Sequence, residues 1–223
     1  MTTTNPALAG IATASISDAL DRLGLPGSVG GVGPLREVQR ACGIAYTVRY
    51  EPVDGNGGTV GDFLDEVPPG SVIVIDNDAR TDCTVWGGIM TRLAAHRGIA
   101  ATVINGVCRD VPAIQRTDYR IWSAGRFMRT GKDRVRLKAV QVPLVIDGVT
   151  IRPGDVVCCD EDGVVVVPAE RVSEVAAIAE RIERVEDAIV DAALAGSTLA
   201  EARAQQGYHS LQTPRAALAG DLA

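Results

Sequence analysis

The spacing of apolar residues predicts a helix between two buried strands in the middle of the chain. Over residues 89–97, apolar side chains recur at helical spacing on one face (Ile89, Met90, Leu93 and Ala94), and Gly98 follows where a helix would end. The apolar runs from Ser71 to Asp76 and from Ala101 to Cys108 are rich in β-branched residues and predict strands. Together they predict one βαβ unit with parallel strands and a right-handed crossover.

The remaining pattern extends this unit into an α/β fold. Residues 10–24 predict a first helix capped by Ser15, and residues 43–51 alternate as a strand. Residues 140–168 predict short strands separated by turns, in which we interpret Asp160 and Asp162 as turn residues. An apolar stripe over residues 169–195 predicts one long helix, and Thr198 with Glu201 predicts a capping box for another.

We expect a single domain over residues 1–203, followed by a tail over residues 204–223. The long helix would pack either on its own core or on a neighbouring subunit, and the sequence leaves both arrangements open.

The βαβ geometry brings the start of the helix and the end of its second strand to one edge of the sheet. Gly87 and Gly88 open the helix, and Arg109 and Asp110 follow the strand. A helix N-terminus offers N–H groups to a carboxylate or phosphate, Arg109 offers a cation, and Asp110 offers an oxygen ligand for Mg²⁺. The alternative is a surface ion pair after a strand. Asp76 is expected at the same edge, where it could help hold the site; of the two roles we favour hydrogen bonding of the loop 79–85.

Composition narrows the classes of function. The 223 residues carry a net charge of −6, with Lys and Arg dispersed, which argues against nucleic acid as a partner. No apolar stretch approaches the ~18 residues of a membrane span, and five cysteines without zinc-type spacing indicate reduced thiols in a cytoplasm. With two histidines in the chain, we expect any metal to be bound by oxygen.

Three motifs together resemble the RraA-like family. They are Trp86-Gly87-Gly88 with Ile104-Asn105-Gly106-Val107-Cys108-Arg109-Asp110, then the segment 149–155, then the segment 160–168. This family includes Mg²⁺-dependent 4-hydroxy-4-methyl-2-oxoglutarate and 4-carboxy-4-hydroxy-2-oxoadipate aldolases and the regulator of ribonuclease activity A. The resemblance implies a swivelling β/β/α domain that assembles as a homotrimer or hexamer.

The resemblance also implies roles for particular residues. Backbone amides of Ile89 and Met90, after Gly87 and Gly88, would hold the carboxylate of a small 2-keto acid substrate. Arg109 would contact its keto oxygen, and Asp110 would hold a water-rich Mg²⁺, or another divalent cation such as Mn²⁺. Glu186 of a neighbouring protomer would complete the site. The implied activity is retro-aldol cleavage of 4-hydroxy-2-oxo acids with release of pyruvate, together with oxaloacetate decarboxylation.

Gly88 departs from the family pattern, because the aldolases carry an acidic residue at that position. Two alternatives to the aldolase therefore stay open. One is a different reaction, on the same scaffold, with a bulkier carboxylated metabolite for which Gly88 makes room. The other is a non-enzymatic regulator of the RraA type. Pyruvate release with and without Mg²⁺ tests the aldolase, and Mg²⁺ binding without turnover separates the different reaction from the regulator.

Overall fold

The computed structural model describes residues 7–37, 39–53 and 57–213, so the end of the predicted tail, 214–223, lies outside the described residues. The strands are β1 Ser28–Val29, β2 Gly33–Pro34, β3 Ala41–Pro52, β4 Val72–Thr84, β5 Ala101–Cys108, β6 Ile121–Arg126, β7 Val135–Val140, β8 Leu144–Ile146, β9 Val149–Ile151, β10 Val156–Cys159 and β11 Val164–Val167. The α-helices are α1 Thr13–Leu23, α2 Gly88–His96, α3 Val111–Gln115, α4 Val172–Leu194 and α5 Leu199–Gln206. The predicted fold class, α/β with a central βαβ unit and a long C-terminal helix, is confirmed.

One sheet carries most of the described strands, in the order β1-β11-β10-β3-β4-β5-β6-β2, with β7 also paired to β3. Strands β3, β4, β5 and β6 are mutually parallel, and the outer pairings are antiparallel. The predicted β4-α2-β5 unit lies at the centre of this parallel part. Its position places the C-terminal end of β5 and the N-terminus of α2 at one edge.

Strand β4 is longer than its apolar run. It was predicted to end at Asp76, followed by a loop, but it continues to Thr84 through register shifts against β5. Asp78 and Ala79 adopt left-handed backbone conformations with φ of 54° and 50°. These two residues bend the strand and let pairing resume beyond them, so the predicted loop 79–85 was wrong for most of its length.

Both faces of the parallel strands are covered, which explains why they are apolar without alternation. On β4, Ile73 and Ile75 pack into a cluster with α2, while Val72 and Val74 pack into one with the β8-β9 hairpin. A third cluster lies between α1, α4, β10 and β11. The long helix thus packs against α1 and the sheet of its own chain.

The N-terminus of α1 is capped by distant carboxylates, so the predicted Ser15 cap was wrong. Asp160 Oδ2 accepts the N–H of Thr13 at 2.8 Å, and Glu183 Oε1 accepts the N–H of Ala12 at 2.9 Å. Asp160 is a turn residue, since it also accepts the N–H of Asp162, but its side chain is buried. It therefore ties the β10-β11 turn to α1.

The predicted capping box of Thr198 and Glu201 is confirmed at the start of α5. In the part of the chain that the structure describes, no helix combines the length and apolarity needed to cross a membrane.

Replacement of Asp160 by alanine leaves the Thr13 N–H and hydroxyl without their acceptor. We expect Asp160→Ala to lower the free energy of unfolding by about 2–4 kcal/mol, because a buried cap and its charge-assisted hydrogen bonds are lost. Denaturant unfolding measures this change. The matched control is Asp162→Ala. Because the Asp162 side chain is exposed, we expect this variant to lower the free energy of unfolding by less than about 0.5 kcal/mol. Equal effects of the two variants would refute the cap.

Candidate functional site

The structure brings together the two segments that the sequence predicted to meet. Gly88 N–H donates to Asp110 Oδ2 at 2.8 Å, and Arg109 N–H donates to the carbonyl of Trp86 at 3.0 Å. Arg109 Nε lies 3.7 Å from the same Asp110 oxygen. The start of α2 and the end of β5 are therefore joined by backbone and side-chain hydrogen bonds.

Asp110 is held in this position by an unusual backbone conformation. Its φ of 62° is left-handed, a region that aspartate tolerates better than most residues. The Asp110 carbonyl accepts the N–H groups of Ala113 and Ile114, so the residue begins α3 while its side chain points back to α2. This turn aims the carboxylate at the start of α2.

Glycine is required at position 87 because the Asp110 carboxylate lies close to it. The backbone angles do not require glycine, since the φ of −156° is ordinary extended backbone. A Cβ at this position would lie 2.7 Å from Asp110 Oδ2 and 3.3 Å from Arg109 Nε. At Gly88 a Cβ would meet Ala113 Cβ at 3.1 Å, a tight contact with a small side chain. Gly87 therefore lets the carboxylate approach the helix start.

A buried polar chain beneath the site fixes the first turn of α2, and sequence reasoning missed it. The indole N–H of Trp86 donates to Thr91 Oγ1 at 3.0 Å, and this hydroxyl donates to the carbonyl of Gly87 at 3.0 Å. The indole also stacks on Tyr119, with ring centroids 6.0 Å apart. Burial raises the pKa of Tyr119, whose hydroxyl pairs with Thr102. The available signal was the spacing between Trp86, just before the predicted helix, and Thr91 in its first turn.

A cavity of ≈ 150 Å³ opens at the start of α2. The N–H groups of Ile89 and Met90 have no acceptor among the described residues, whereas those of Gly88 and Thr91 are bonded. Two free N–H groups at the positive end of a helix suit a carboxylate or phosphate. The lining residues are Val60, Thr84, Trp86, Gly87, Gly88, Ile89, Met90, Arg109, Asp110 and Thr130.

The rim of this cavity is positively charged although the protein is acidic. Arg92, Arg116 and Arg126 line hollows that border Asp110, and Arg109 lines the cavity itself. Asp110 is the one carboxylate among the residues lining these three hollows, within the described part of the chain. The arrangement favours an anionic small molecule, by steering and by direct contact.

The chemistry of Asp110 fits a hydrated divalent cation. Its Oδ2 is occupied by Gly88 N–H, while Oδ1 has no hydrogen-bond partner among the described residues and the side chain is 47% exposed. The described residues contain no group of three His, Cys, Asp or Glu side chains that could hold a metal. A cation here would therefore have Asp110 as its protein ligand and water for the rest, which Mg²⁺ accepts.

Glu186, predicted to be catalytic, is not brought to the cavity by its own chain. It lies on α4, where desolvation raises the pKa of its carboxyl and the nearby charges of Asp18, Glu183 and Asp187 raise it further. A role in the site therefore requires a second subunit.

The predicted role of Asp76 was wrong. Its carboxylate accepts the Asn105 amide at 2.9 Å and the Asp78 N–H at 3.0 Å, and it lies 3.7 Å from Arg49 Nε. These contacts stabilise the bend in β4 rather than the segment 79–85.

Comparison with known proteins identifies what this chain resembles. A family model described as RraA-like, Aldolase/RraA, matches residues 13–166. The chain is 37% identical over 160 residues to a protein of Halalkalibacterium halodurans provisionally named 4-hydroxy-4-methyl-2-oxoglutarate aldolase, covering 71% of this chain and 73% of that protein. It is 41% identical over 199 residues to protein DlpA of Legionella pneumophila, covering 88% of this chain; the chain spans about a third, 32%, of that relative.

Two solved structures share the fold. An uncharacterized protein of Pseudomonas syringae is 48% identical with a TM-score of 0.83, covering 88% of this chain and 94% of that chain. Streptomyces coelicolor RraAS2, described as an unusual member of the RNase ES inhibitor RraA family, is 29% identical with a TM-score of 0.73, covering 81% and 92%.

The contact between Gly87 and Asp110 can be tested without knowledge of the ligand. We expect Gly87→Ala to lower the free energy of unfolding by about 1–3 kcal/mol, because the new Cβ displaces the carboxylate. In an Asp110→Ala background the same substitution should cost clearly less, and a double-mutant cycle in denaturant measures this coupling.

The matched control is Gly33→Ala, whose added Cβ meets no atom within 4 Å. A Gly87→Ala cost that does not change when Asp110 is removed would contradict the close approach.

Proposed function

Because this chain belongs to the RraA-like family, we propose that it is a Mg²⁺-dependent lyase that releases pyruvate from 4-hydroxy-2-oxo acids. The observation that carries the proposal is the meeting, in one cavity, of two free N–H groups with Arg109 and Asp110. The relatives named as aldolases support the reaction class.

The residues suit a substrate with a carboxylate beside a keto group. The carboxylate would bind the N–H groups of Ile89 and Met90 at the start of α2, which orients the keto oxygen toward Arg109. Cleavage of the bond β to the keto group moves negative charge onto that oxygen, and the Arg109 guanidinium stabilises the charge. Since the Arg109 guanidinium already lies against Asp110, the group that stabilises this charge is in place before reaction.

Asp110 Oδ1 would hold Mg²⁺ or Mn²⁺ through one protein oxygen and several waters. A cation bound there would supply Lewis-acid polarisation of the keto oxygen. The same charge stabilisation would serve loss of CO₂ from oxaloacetate, so we propose oxaloacetate decarboxylation as a second activity.

We propose that Glu186 of a neighbouring subunit completes the site in a homotrimer or hexamer. A raised pKa suits a carboxyl that exchanges protons during turnover. Exposed apolar side chains beside the cavity support self-association there: Ile89 is 77% exposed and Met128 is 76% exposed. Free cysteines support a reducing, cytoplasmic location as part of this proposal.

Two alternative functions are each favoured by one observation. Gly88 favours a different reaction on a bulkier carboxylated metabolite, because no side chain fills the space beside Asp110. The likeness to Streptomyces coelicolor RraAS2 favours a non-enzymatic ribonuclease regulator. The small cavity and its charged rim support a small anionic ligand over a protein partner.

Pyruvate release from 4-hydroxy-4-methyl-2-oxoglutarate and from oxaloacetate tests the proposal. We expect turnover with Mg²⁺, loss with EDTA, and a fall in kcat/KM of about 10²–10³-fold for Arg109→Gln and for Asp110→Asn, because each removes charge at the developing oxyanion or its cation.

Asp118→Asn is the control, since this aspartate is fully exposed outside the cavity and should retain wild-type rates. Turnover that survives both EDTA and Asp110→Asn would contradict metal dependence. No turnover, with Mg²⁺ binding that Asp110→Asn abolishes, would favour the bulkier metabolite, and loss of both would favour the regulator.

A further inference from the structure

Two arginines border a second hollow beside Gly88. The hollow, of ≈ 430 Å³, is lined by Gly88, Ile89, Arg92, Asp110, Ala113, Arg116 and Thr117. Neither Arg92 nor Arg116 forms an ion pair within the described residues. Arg92 Nε donates to the carbonyl of Gly88 at 3.3 Å, which holds its guanidinium beside position 88 with further N–H groups free.

Gly88 lies at the border between this hollow and the cavity. Both spaces are bordered by Gly88, Ile89 and Asp110, and position 88 places no side chain between them. A glutamate at 88 would stand four residues before Arg92, the spacing at which opposite charges pair along a helix. With glycine there, the charge of Arg92 is left for a ligand.

We propose that Arg92 and Arg116 form a second anion subsite, which binds a carboxylate at the far end of the ligand whose first carboxylate lies on α2. This inference rests on the proposed function for the first carboxylate. Position 92 lies roughly 6 Å along the helix from position 88, a span that fits the second carboxylate of the dicarboxylate substrates already proposed.

Paired ligands of equal length test this subsite. Dissociation constants are measured by calorimetry, in the presence of Mg²⁺, for 2-oxoglutarate against 2-oxopentanoate and for glutarate against pentanoate. We expect each dicarboxylate to bind about tenfold tighter than its monocarboxylate partner, because one charge-assisted contact is added. Arg92→Gln and Arg116→Gln should each reduce that preference several-fold and leave the monocarboxylate constants unchanged.

Position 88 supplies the matched pair of variants. Gly88→Glu should abolish the preference by neutralising Arg92, while Gly88→Ala, which adds the Cβ without charge, should keep most of it. Arg126→Gln, in a hollow that borders Asp110 but not Gly88, is the control for general positive charge and should leave the preference unchanged.

The outcomes separate this subsite from the proposed function. A preference for dicarboxylates without any preference for keto acids supports the subsite and counts against the lyase. Equal binding of mono- and dicarboxylates overturns the subsite even if pyruvate is released. Loss of the preference in Arg126→Gln, or no binding of any ligand, also overturns it.

A second, independent observation concerns two cysteines that lie directly opposite each other on neighbouring strands. Cys42 on β3 and Cys158 on β10 are register partners in an antiparallel pair. Ala45 N–H donates to the carbonyl of Asp155, so the pair 45/155 is hydrogen-bonded, and alternation along the ladder makes 42/158 a non-hydrogen-bonded pair. Side chains are closest at such positions, where Cα atoms lie roughly 4.5 Å apart, within the range of a disulfide.

The geometry points to an oxidation site in which Cys42 and Cys158 form a cross-strand disulfide. Cys42 is only partly buried, so an oxidant reaches it first, and buried Cys158 is the resolving thiol. With hydrogen peroxide, the two thiols lose two protons and two electrons, one S–S bond forms, and the O–O bond breaks to give two waters. The Cys158 thiol, as a hydrogen-bond donor, lowers the pKa of Cys42, which favours its attack as thiolate.

Peroxide treatment followed by mass spectrometry tests this site. We expect the thiol count to fall from five to three, with a tryptic peptide linking Cys42 to Cys158 and full reversal by dithiothreitol. Cys42→Ala should prevent the link. Cys159→Ala is the matched control, because Cys159 pairs with Ala41 and faces the opposite side of the sheet. Retention of five thiols, or oxygen added to Cys42 without a link, would overturn the proposal.

Discussion

The hydrogen bond from Gly88 N–H to Asp110 Oδ2 is the contact on which the site depends. It joins the first turn of α2 to the end of β5, across a junction where only glycine at position 87 leaves room for the carboxylate. Because one oxygen of Asp110 is used in this way, the other keeps a fixed direction and is left for a cation or water. Position 87 thus controls both the packing at this junction and the direction of the Asp110 carboxylate.

Cationic side chains and free N–H groups surround Asp110. The helix start offers two free N–H groups, Arg109 contributes a cation, and three more arginines lie at the rim, all around a single carboxylate. The protein has a net charge of −6, but arginines and free N–H groups are concentrated around Asp110. Anions are therefore attracted to this site and repelled by the rest of the surface. This contrast supports a ligand with more than one negative group.

Local pattern was sufficient to predict the βαβ unit and the meeting of Gly88 with Arg109 and Asp110. Periodicity identifies each element, and the parallel crossover then determines which ends meet. The errors arose where distant residues decide local structure. Ser15 does not cap α1, because Asp160 and Glu183, 147 and 171 residues from their partners, occupy the N–H groups first. The left-handed pair at Asp78 and Ala79, which extends β4, has no apolar periodicity to reveal it.

The lack of a side chain at position 88 affects the charge balance of the site as well as the space available in it. An acid there would occupy the junction of two hollows and would pair with Arg92 one turn later, so the protein would neutralise its own subsite. With glycine, the same arginine has only the Gly88 carbonyl as a partner within the described residues. A guanidinium held beside a helix start, without an ion pair among the described residues, is stabilised by an anion from outside. With glycine instead of an acidic residue at position 88, the positive charge of Arg92 is therefore neutralised by the ligand and not by the protein.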